Sequence, residues 1–211
     1  MARTRYFSAE LFEFLTDLKN NNSREWFLDN KDRYQKAVKE PLLRFIEAFA
    51  EPLHDISPNF SADARPTGGS MFRIYRDVRF AKDKSPYKTH AAAQFRHRAG
   101  RDAHVPCFYL HLEPGSVSKI IEKPEEWKSI LANSALTARH EQAGESLKRA
   151  PRGFDPEHPL IAEIKRKDYL CVQHFSQAQV CGEGFIEEFA ASCKAAAPFV
   201  RFLTEAVGQE F

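Results

Sequence analysis

The stretch THAAAQFRHRAGRDAHVPCFYLHLE, residues 89–113, decides the fold class of this chain because its apolar residues alternate. Phe108, Leu110 and Leu112 occupy every second position near its end, which is the period of a strand that is buried on one face. The first half of the stretch alternates in the same way, and the Gly-Arg-Asp sequence at 100–102 supplies a turn between the halves. The stretch therefore predicts a pair of antiparallel strands.

The same strand period extends upstream, where Gly68 and Gly69 supply another turn. A later run, Tyr169–Phe175, is expected to return to the same sheet. The strands predicted in the middle of the chain are Phe60–Arg65, Ser70–Tyr75, Thr89–His97 and Val105–Glu113.

Helical periods flank these strands on both sides. Ser8 is the expected N-cap of a first helix, and Asn22 or Ser23 is the expected N-cap of a second. Pro41 fits the first turn of a third helix, and Pro52 and Pro58 are expected to mark its end. The helical segments predicted further on are one from Pro124, one over Leu136–Leu147, a short one over Leu160–Arg166, and one or two over Phe185–Val207 with an interruption near Pro198.

These patterns predict an α+β fold in a single domain over residues 1–211. We expect one antiparallel sheet of about four to six strands, with N- and C-terminal helices packed mainly on one face. A chain of 211 residues is long enough to bury a core of its own.

The overall charge and the cysteines exclude several classes of protein. A net charge of +2 disfavours a protein that coats nucleic acid by bulk electrostatics. The four cysteines are scattered and form no CxxC pair, so we expect free thiols and no structural zinc. We expect no other metal and no cofactor, because the chain has no HExxH, Walker, GxGxxG or GxSxG motif. The first residues carry charges inside their apolar run, which indicates neither a signal peptide nor a membrane span. The expected location is the cytoplasm, with no membrane partner.

The segment RIYRDVRFAKDKSPYK, residues 73–88, holds most of the chemical information in the chain. It carries six basic and two acidic residues, so its local net charge of +4 exceeds the +2 of the whole chain. Aromatic residues are interleaved with these charges, among them Tyr75, Phe80 and Tyr87. This interleaving predicts that the segment packs against the folded core.

Arginines that are held in place by packing suit the recognition of phosphate or carboxylate, because the planar guanidinium matches two oxygens. In this interpretation Asp77 and Asp83 orient the arginines, or one of them serves as a catalytic base. The competing interpretation is a structural ion-pair network that fastens an irregular loop to the sheet. The residues expected to bind the anion are Arg73, Arg76, Arg79, Lys84, Tyr87 and Lys88.

A second candidate cluster lies on the predicted last strand. Tyr109, His111 and Glu113 share one face, and a histidine with a carboxylate two residues on can form an acid–base pair or two metal ligands. His111 is therefore a third catalytic candidate, and His90 could complete a metal triad with it. His-x-Glu is a weak motif, however, and packing on a polar sheet face is the simpler interpretation.

Two functions from different classes follow, and the sequence leaves the reaction, if there is one, open. The first is an enzyme or ligand-binding domain that recognises a small phosphorylated or carboxylated molecule. The second is a non-catalytic module that binds an acidic partner or a nucleic-acid backbone, of which the nucleic acid is the less favoured. A concave pocket behind the arginines would favour the first, and an exposed basic ridge would favour the second.

The chain resembles the family known as domain of unknown function 2461. The likeness rests on the pattern R-x-x-R-D-x-R-F-x-x-D/N-K-x-x-Y, which runs here from Arg73 to Tyr87, and on flanking sequences such as GGSMFRIYRD, FYLHLEPG and PRGFDPEHP. After Gly115 the chain departs from the family pattern, since a glycine-rich stretch is missing before IIEKPEEW. The resemblance implies a single cytoplasmic domain and supplies no activity.

Overall fold

A computed structural model of the chain describes residues 4–100, 106–114, 134–151, 155–157, 161–166 and 170–211. The predicted helix that begins at Pro124 lies outside these residues. The interrupted family pattern after Gly115 lies outside them as well.

The first two helices begin where the sequence predicts, but the second is shorter than its pattern: it ends at Asp29, before Asn30 and Tyr34, which the pattern places along it. Helix α1, Ala9–Asn20, follows Ser8 and buries the apolar stripe that includes Leu11 and Leu15. Helix α2, Arg24–Asp29, is capped by Ser23, whose side chain accepts a hydrogen bond from the backbone N–H of Trp26. This cap satisfies one of the amide donors that a helix leaves unpaired at its first turn.

The third predicted helix is longer than its sequence pattern suggested. Helix α3, Lys31–Tyr34, continues through a π-helical turn, Gln35–Lys39, into helix α4, Glu40–Ile56. Pro41 lies in the first turn of α4 as predicted, but Pro52 lies inside the helix and does not end it. A proline inside a helix removes one hydrogen bond. The buried apolar face of α4, with fully enclosed side chains such as Phe49, offsets that loss.

The main sheet has three antiparallel strands in the order β1-β2-β3: β1 Phe60–Ser61, β2 Ala91–His97 and β3 Cys107–Leu112. The prediction of strands near 89–97 and 105–113 is confirmed within a few residues. In their register Ala93 pairs with Leu110 and Phe95 with Phe108.

The predicted strand Ser70–Tyr75 is wrong, and Phe60–Arg65 is reduced to two residues. After β1 the chain leaves the edge of β2 in a loop that closes on itself, because Ser70 N–H donates to the Asp63 carbonyl at 2.7 Å. The chain then rejoins β2 for a single bridge, Met71 to Ala93. Phe72 N–H donates to the Ala92 carbonyl at 2.9 Å and Gln94 N–H donates to the Ser70 carbonyl at 2.8 Å, so the segment meets the sheet edge over this short stretch and not as a full strand.

The C-terminal part also differs from the prediction. Leu136–Leu147 is not one helix: helix α5, Ser134–Thr137, is followed by strand β4, Glu141–Ala143. Strand β5, Leu170–Val172, pairs with β4 in a separate two-stranded sheet and does not return to the main one. Four to six strands in one sheet are therefore not confirmed: the described sheets have three strands and two.

The remaining helices are α6, Ile161–Ile164, α7, Gln177–Val180, and α8, Phe185–Ala206. Helix α8 runs through Pro198 without an interruption. No helix within the described ranges is both long and apolar enough to cross a membrane.

Helices from both ends of the chain cover the same face of the main sheet. Phe49 of α4 contacts Phe95 of β2 and Phe189 of α8, with ring centroids 4.8 and 4.9 Å apart. All three rings are buried. The opposite face of the sheet carries polar side chains, among them Gln94 and His111. One apolar face and one polar face are what the alternation in the sequence requires.

Replacing Phe49 with alanine should lower the free energy of unfolding by about 3–5 kcal/mol, because it opens a cavity between two helices and the sheet. Denaturant unfolding followed by circular dichroism measures this loss. Phe80→Ala is the matched control, since it removes the same atoms from a side chain that is 96% exposed, and it should change stability by less than about 0.5 kcal/mol. Similar losses in both variants would contradict this account of the core.

Candidate functional site

The basic segment 73–88 forms a long hairpin-like loop at the edge of the sheet. Its base is a single antiparallel bridge between Tyr75 and Tyr87. Backbone hydrogen bonds on either side close the bridge, from Arg76 N–H to the Pro86 carbonyl at 2.9 Å and from Lys88 N–H to the Ile74 carbonyl at 2.7 Å. We call residues 76–86 the arginine loop.

Asn22, between helices α1 and α2, fastens the base of the arginine loop. Its side-chain amide donates to the Tyr87 carbonyl at 2.9 Å, and its side-chain oxygen accepts from the Tyr87 N–H at 3.1 Å. Phe27 of α2 stacks on the Tyr87 ring with centroids 4.1 Å apart. The loop is thus attached to the helical layer as well as to the sheet.

The prediction that the aromatic residues of this segment pack against the core is correct only near its base. Ile74 and Tyr87 are buried, whereas Tyr75 is 58% exposed and Phe80 is 96% exposed. The reason is geometric: the arginine loop extends beyond the Tyr75–Tyr87 bridge, so a side chain at its tip has no core within reach.

Both arginines and both carboxylates of the arginine loop are paired within the loop. Arg76 forms an ion pair with Asp83, and Arg79 forms one with Asp77 at 2.6 Å. Lys84 Nζ donates to the Val78 carbonyl at 2.9 Å. The interleaved aromatic residues predict that Arg76, Asp77 and Arg79 are partly buried. This is correct for Arg76, whose side chain is 30% exposed, and wrong for Asp77 and Arg79, at 60% and 77%.

Both carboxylates of the loop are ionised across the neutral range. Hydrogen bonds from the Ser85 side chain and then from Arg76 hold the pKa of Asp83 well below its usual range. Hydrogen bonds from Arg79 lower the pKa of Asp77. Carboxylates held in the charged form are suited to orient guanidinium groups, and they are weak proton acceptors at neutral pH.

An open cavity of about 660 Å³ lies between the arginine loop and the end of α1. Of the residues predicted from the sequence to bind the anion or to act on it, five line the cavity: Arg76, Asp77, Asp83, Tyr87 and Lys88.

The other predicted residues lie elsewhere. Arg73 lines a different cavity, of about 190 Å³, beside Phe27 and Tyr34. Arg79, Lys84 and His111 are not part of the wall of the larger cavity.

Lys19 and Asn22 line the larger cavity although no sequence pattern indicates them. Lys19 lies in the last turn of α1, and its sequence context is that of an ordinary surface lysine. The sequence context of Asn22 indicates only a possible helix cap. The tertiary fold brings both residues to the arginine loop, which lies more than 50 residues further along the chain. No local sequence pattern predicts such a contact.

Lys88 is a partly buried cation of the cavity. Its ammonium group lies 5.0 Å from the centroid of the Phe72 ring. Burial lowers the pKa of Lys88, and the charge of Arg73 lowers it further. Within the described part of the chain neither Lys88 nor Lys19 has a carboxylate in ion-pair contact.

The second candidate cluster forms on the polar face of the sheet beside this cavity. His111 Nε2 lies 3.1 Å from Glu113 Oε2, and His111 Nδ1 lies 3.3 Å from the Tyr109 hydroxyl. His90 stacks on His111 with ring centroids 4.3 Å apart, and His90 also lines the cavity. The predicted common face of Tyr109, His111 and Glu113 is confirmed.

Possible metal ligands come together at this point. One ligand atom from each of His90, His111 and Glu113 falls within a group whose members all lie within 4.8 Å of one another. Burial, followed by the proximity of His111, lowers the pKa of His90 to about 4. The expectation that no metal binds rests on the cysteines and on the absence of known motifs, and this cluster involves neither.

Replacing Asn22 with alanine should lower the free energy of unfolding by about 1–3 kcal/mol, because the change removes two hydrogen bonds to the Tyr87 backbone. Asn21→Ala is the matched control, since that amide makes only a local bond to the Asp17 carbonyl on an exposed surface. It should change stability by less than about 0.5 kcal/mol. Urea unfolding of the two variants measures both effects, and equal losses would refute an anchoring role for Asn22.

The comparisons with known proteins agree with the resemblance in the sequence. The chain matches the family model described as "conserved hypothetical protein (DUF2461)" over residues 10–120 and 117–202. The two matched ranges meet just after Gly115, where the sequence departs from the family pattern. No curated protein matches the chain. Because the matched ranges span most of the 211 residues, the chain belongs to the domain of unknown function 2461 family.

Proposed function

We propose that this protein binds a small phosphorylated or carboxylated molecule in the cavity between the arginine loop and helix α1. The observation that carries the proposal is the convergence of Lys19, Arg76 and Lys88 on one concave wall. Lys19 lies in the last turn of α1, Arg76 lies in the arginine loop, and Lys88 lies shortly before β2. Only the folded chain brings these cations together.

The size of the cavity supports a small ligand. Its volume of about 660 Å³ falls within the roughly 300–1,000 Å³ that is usual for small-molecule sites. A concave site of this size suits a phosphorylated metabolite or nucleotide better than an extended polymer.

The charges of the wall support an anionic ligand. Two lysines face the cavity without a carboxylate partner among the described residues. A partly enclosed ammonium group such as that of Lys88 loses part of its hydration, and an anionic partner compensates for that loss. An anion in the cavity would supply that partner for Lys88 and Lys19 at once.

Arg76 and Asp83 would act as a unit in this site. Asp83 accepts hydrogen bonds from Arg76 and from the Ser85 hydroxyl, so the guanidinium is held in one orientation before any ligand arrives. Preorganised donors cost less conformational entropy when the ligand binds. In this scheme Asp77 and Asp83 orient arginines, and neither is assigned to proton transfer.

One observation favours the alternative function, a non-catalytic module that binds an acidic partner or a nucleic-acid backbone. At the tip of the arginine loop Arg79 is 77% exposed and Phe80 is 96% exposed. A cation beside an exposed aromatic ring is a combination that single-stranded nucleic acids also engage, through phosphate contact and base stacking. That surface lies outside the cavity, so the two functions use different residues.

Replacing Lys88 with alanine should weaken the binding of inorganic phosphate or of a nucleotide about 10–100-fold. The reason is that a charge-assisted hydrogen bond contributes roughly 1.5–3 kcal/mol. Titration calorimetry of the wild type and the variant measures the change. Arg65→Ala is the matched control, because Arg65 pairs with Asp63 at 2.6 Å on an exposed loop away from the cavity, and its affinity should equal that of the wild type.

The same titrations, repeated with a single-stranded oligonucleotide at several salt concentrations, separate the two functions. A small-anion site gives a shallow salt dependence, and its affinity falls in Lys88→Ala and stays unchanged in Phe80→Ala. Binding of the oligonucleotide alone, with a steep salt dependence and a loss in Phe80→Ala, would replace the first function by the second.

A further inference from the structure

We propose that His90, His111 and Glu113 bind one divalent transition-metal ion on the polar face of the main sheet. The inference stands on the geometry of these three side chains and does not depend on the anion site. Its starting point is that ligand atoms from all three lie within 4.8 Å of one another.

The backbone brings these residues together from two parts of the chain. His111 lies in β3 and Glu113 lies just beyond its end. Because the two residues are two positions apart, their side chains lie on the same side of the sheet. His90 immediately precedes β2, the strand that pairs with β3, and Ala91 lies opposite Leu112 in the register. The site is therefore built on paired strands and not on a loose surface loop.

The distances are close to those of a coordination sphere. Two ligand atoms about 2.0–2.2 Å from a tetrahedral ion lie about 3.4 Å from each other. His111 Nε2 and Glu113 Oε2 are already 3.1 Å apart. A ligand atom of His90 lies within 4.8 Å of one on His111 and of one on Glu113, and the two imidazole rings stack with centroids 4.3 Å apart.

Tyr109 would orient the central ligand. Its hydroxyl lies 3.3 Å from His111 Nδ1, so an Nδ1–H that donates to Tyr109 leaves the Nε2 lone pair free for the ion. A metal-binding histidine usually has such a partner at its other nitrogen, which fixes the tautomer and the ring orientation. Glu113 and Tyr109 thus occupy the two sides of His111 that a metal site requires.

The ligand set indicates which ions would bind. Two imidazoles and one carboxylate are typical of catalytic zinc and of ferrous iron, whereas Mg²⁺ and Ca²⁺ prefer oxygen ligands alone. Three protein ligands leave at least one coordination position for water or a substrate oxygen. The His111 and Glu113 side chains are 18% and 31% exposed, so a solute can reach that position.

A surface histidine–carboxylate pair elsewhere in the chain gives a direct comparison. His174 Nε2 lies 3.0 Å from Glu141 Oε1, but these side chains are 54% and 67% exposed. Among the described residues no third ligand joins this pair. Such a pair is an ordinary hydrogen-bonded contact on the surface. The cluster at His111 differs from it because it is more buried and has three members.

The experiment uses the untagged full chain, stripped with a chelator and then dialysed against Zn²⁺, or against Fe²⁺ without oxygen. Elemental analysis should find one metal ion per chain. Competition with a chromophoric chelator should show affinity falling more than about 100-fold in His90→Gln and Glu113→Gln, and roughly 10-fold in Tyr109→Phe. His174→Gln should bind the ion as the wild type does.

Thermal melts without metal identify any variant that fails to fold. If either His90→Gln or Glu113→Gln does not fold, the affinity of the other variant is the test of the proposal. The proposal would be overturned if the wild type bound neither Zn²⁺ nor Fe²⁺ at about one ion per chain. Undiminished binding in a folded His90→Gln or Glu113→Gln variant would overturn it too. None of these measurements includes phosphate, so their outcome is separate from that of the anion titrations.

Discussion

The two hydrogen bonds between the Asn22 side chain and the Tyr87 backbone are the interaction on which the candidate site depends. In the Tyr75–Tyr87 bridge the neighbouring residues carry the ladder bonds, so the N–H and C=O of Tyr87 point away from Tyr75. These groups would otherwise lack a partner in a part-buried position. Asn22 takes the place that an additional strand would have, and one side chain thereby sets the distance between α1 and the arginine loop.

The site has two parts that meet in three consecutive residues. Lys88 closes the base of the arginine loop, and His90 belongs to the histidine cluster on the polar sheet face. Thr89 lies between them, and all three line the same cavity. A ligand there would contact cations on one side and the edge of the histidine cluster on the other. This proximity links the two proposals in space although each is argued and tested alone.

The sequence predicted what depends on local periodicity and left out what depends on distant contacts. The Ser23 cap, the alternation in β3 and the shared face of Tyr109 and His111 follow from spacing alone, and all are present. Spacing does not say which strand a segment will pair with, so β5 was assigned to the wrong sheet.

The arginine loop shows the same limit. Composition indicates its charges but not the exposure of Phe80, because the interleaving of aromatic and charged residues does not say how far the loop extends beyond its base.

The π-helical turn Gln35–Lys39 affects how this chain tolerates insertions and deletions. A π-helical turn amounts to one extra residue in an α-helix. Removing one residue there would restore regular winding and leave Phe45 and Phe49 on the buried face of α4. Removing one residue from the regular part of α4 would instead rotate the residues beyond it by about 100° about the helix axis, so a deletion is tolerated better in the π-helical turn than elsewhere in this helix.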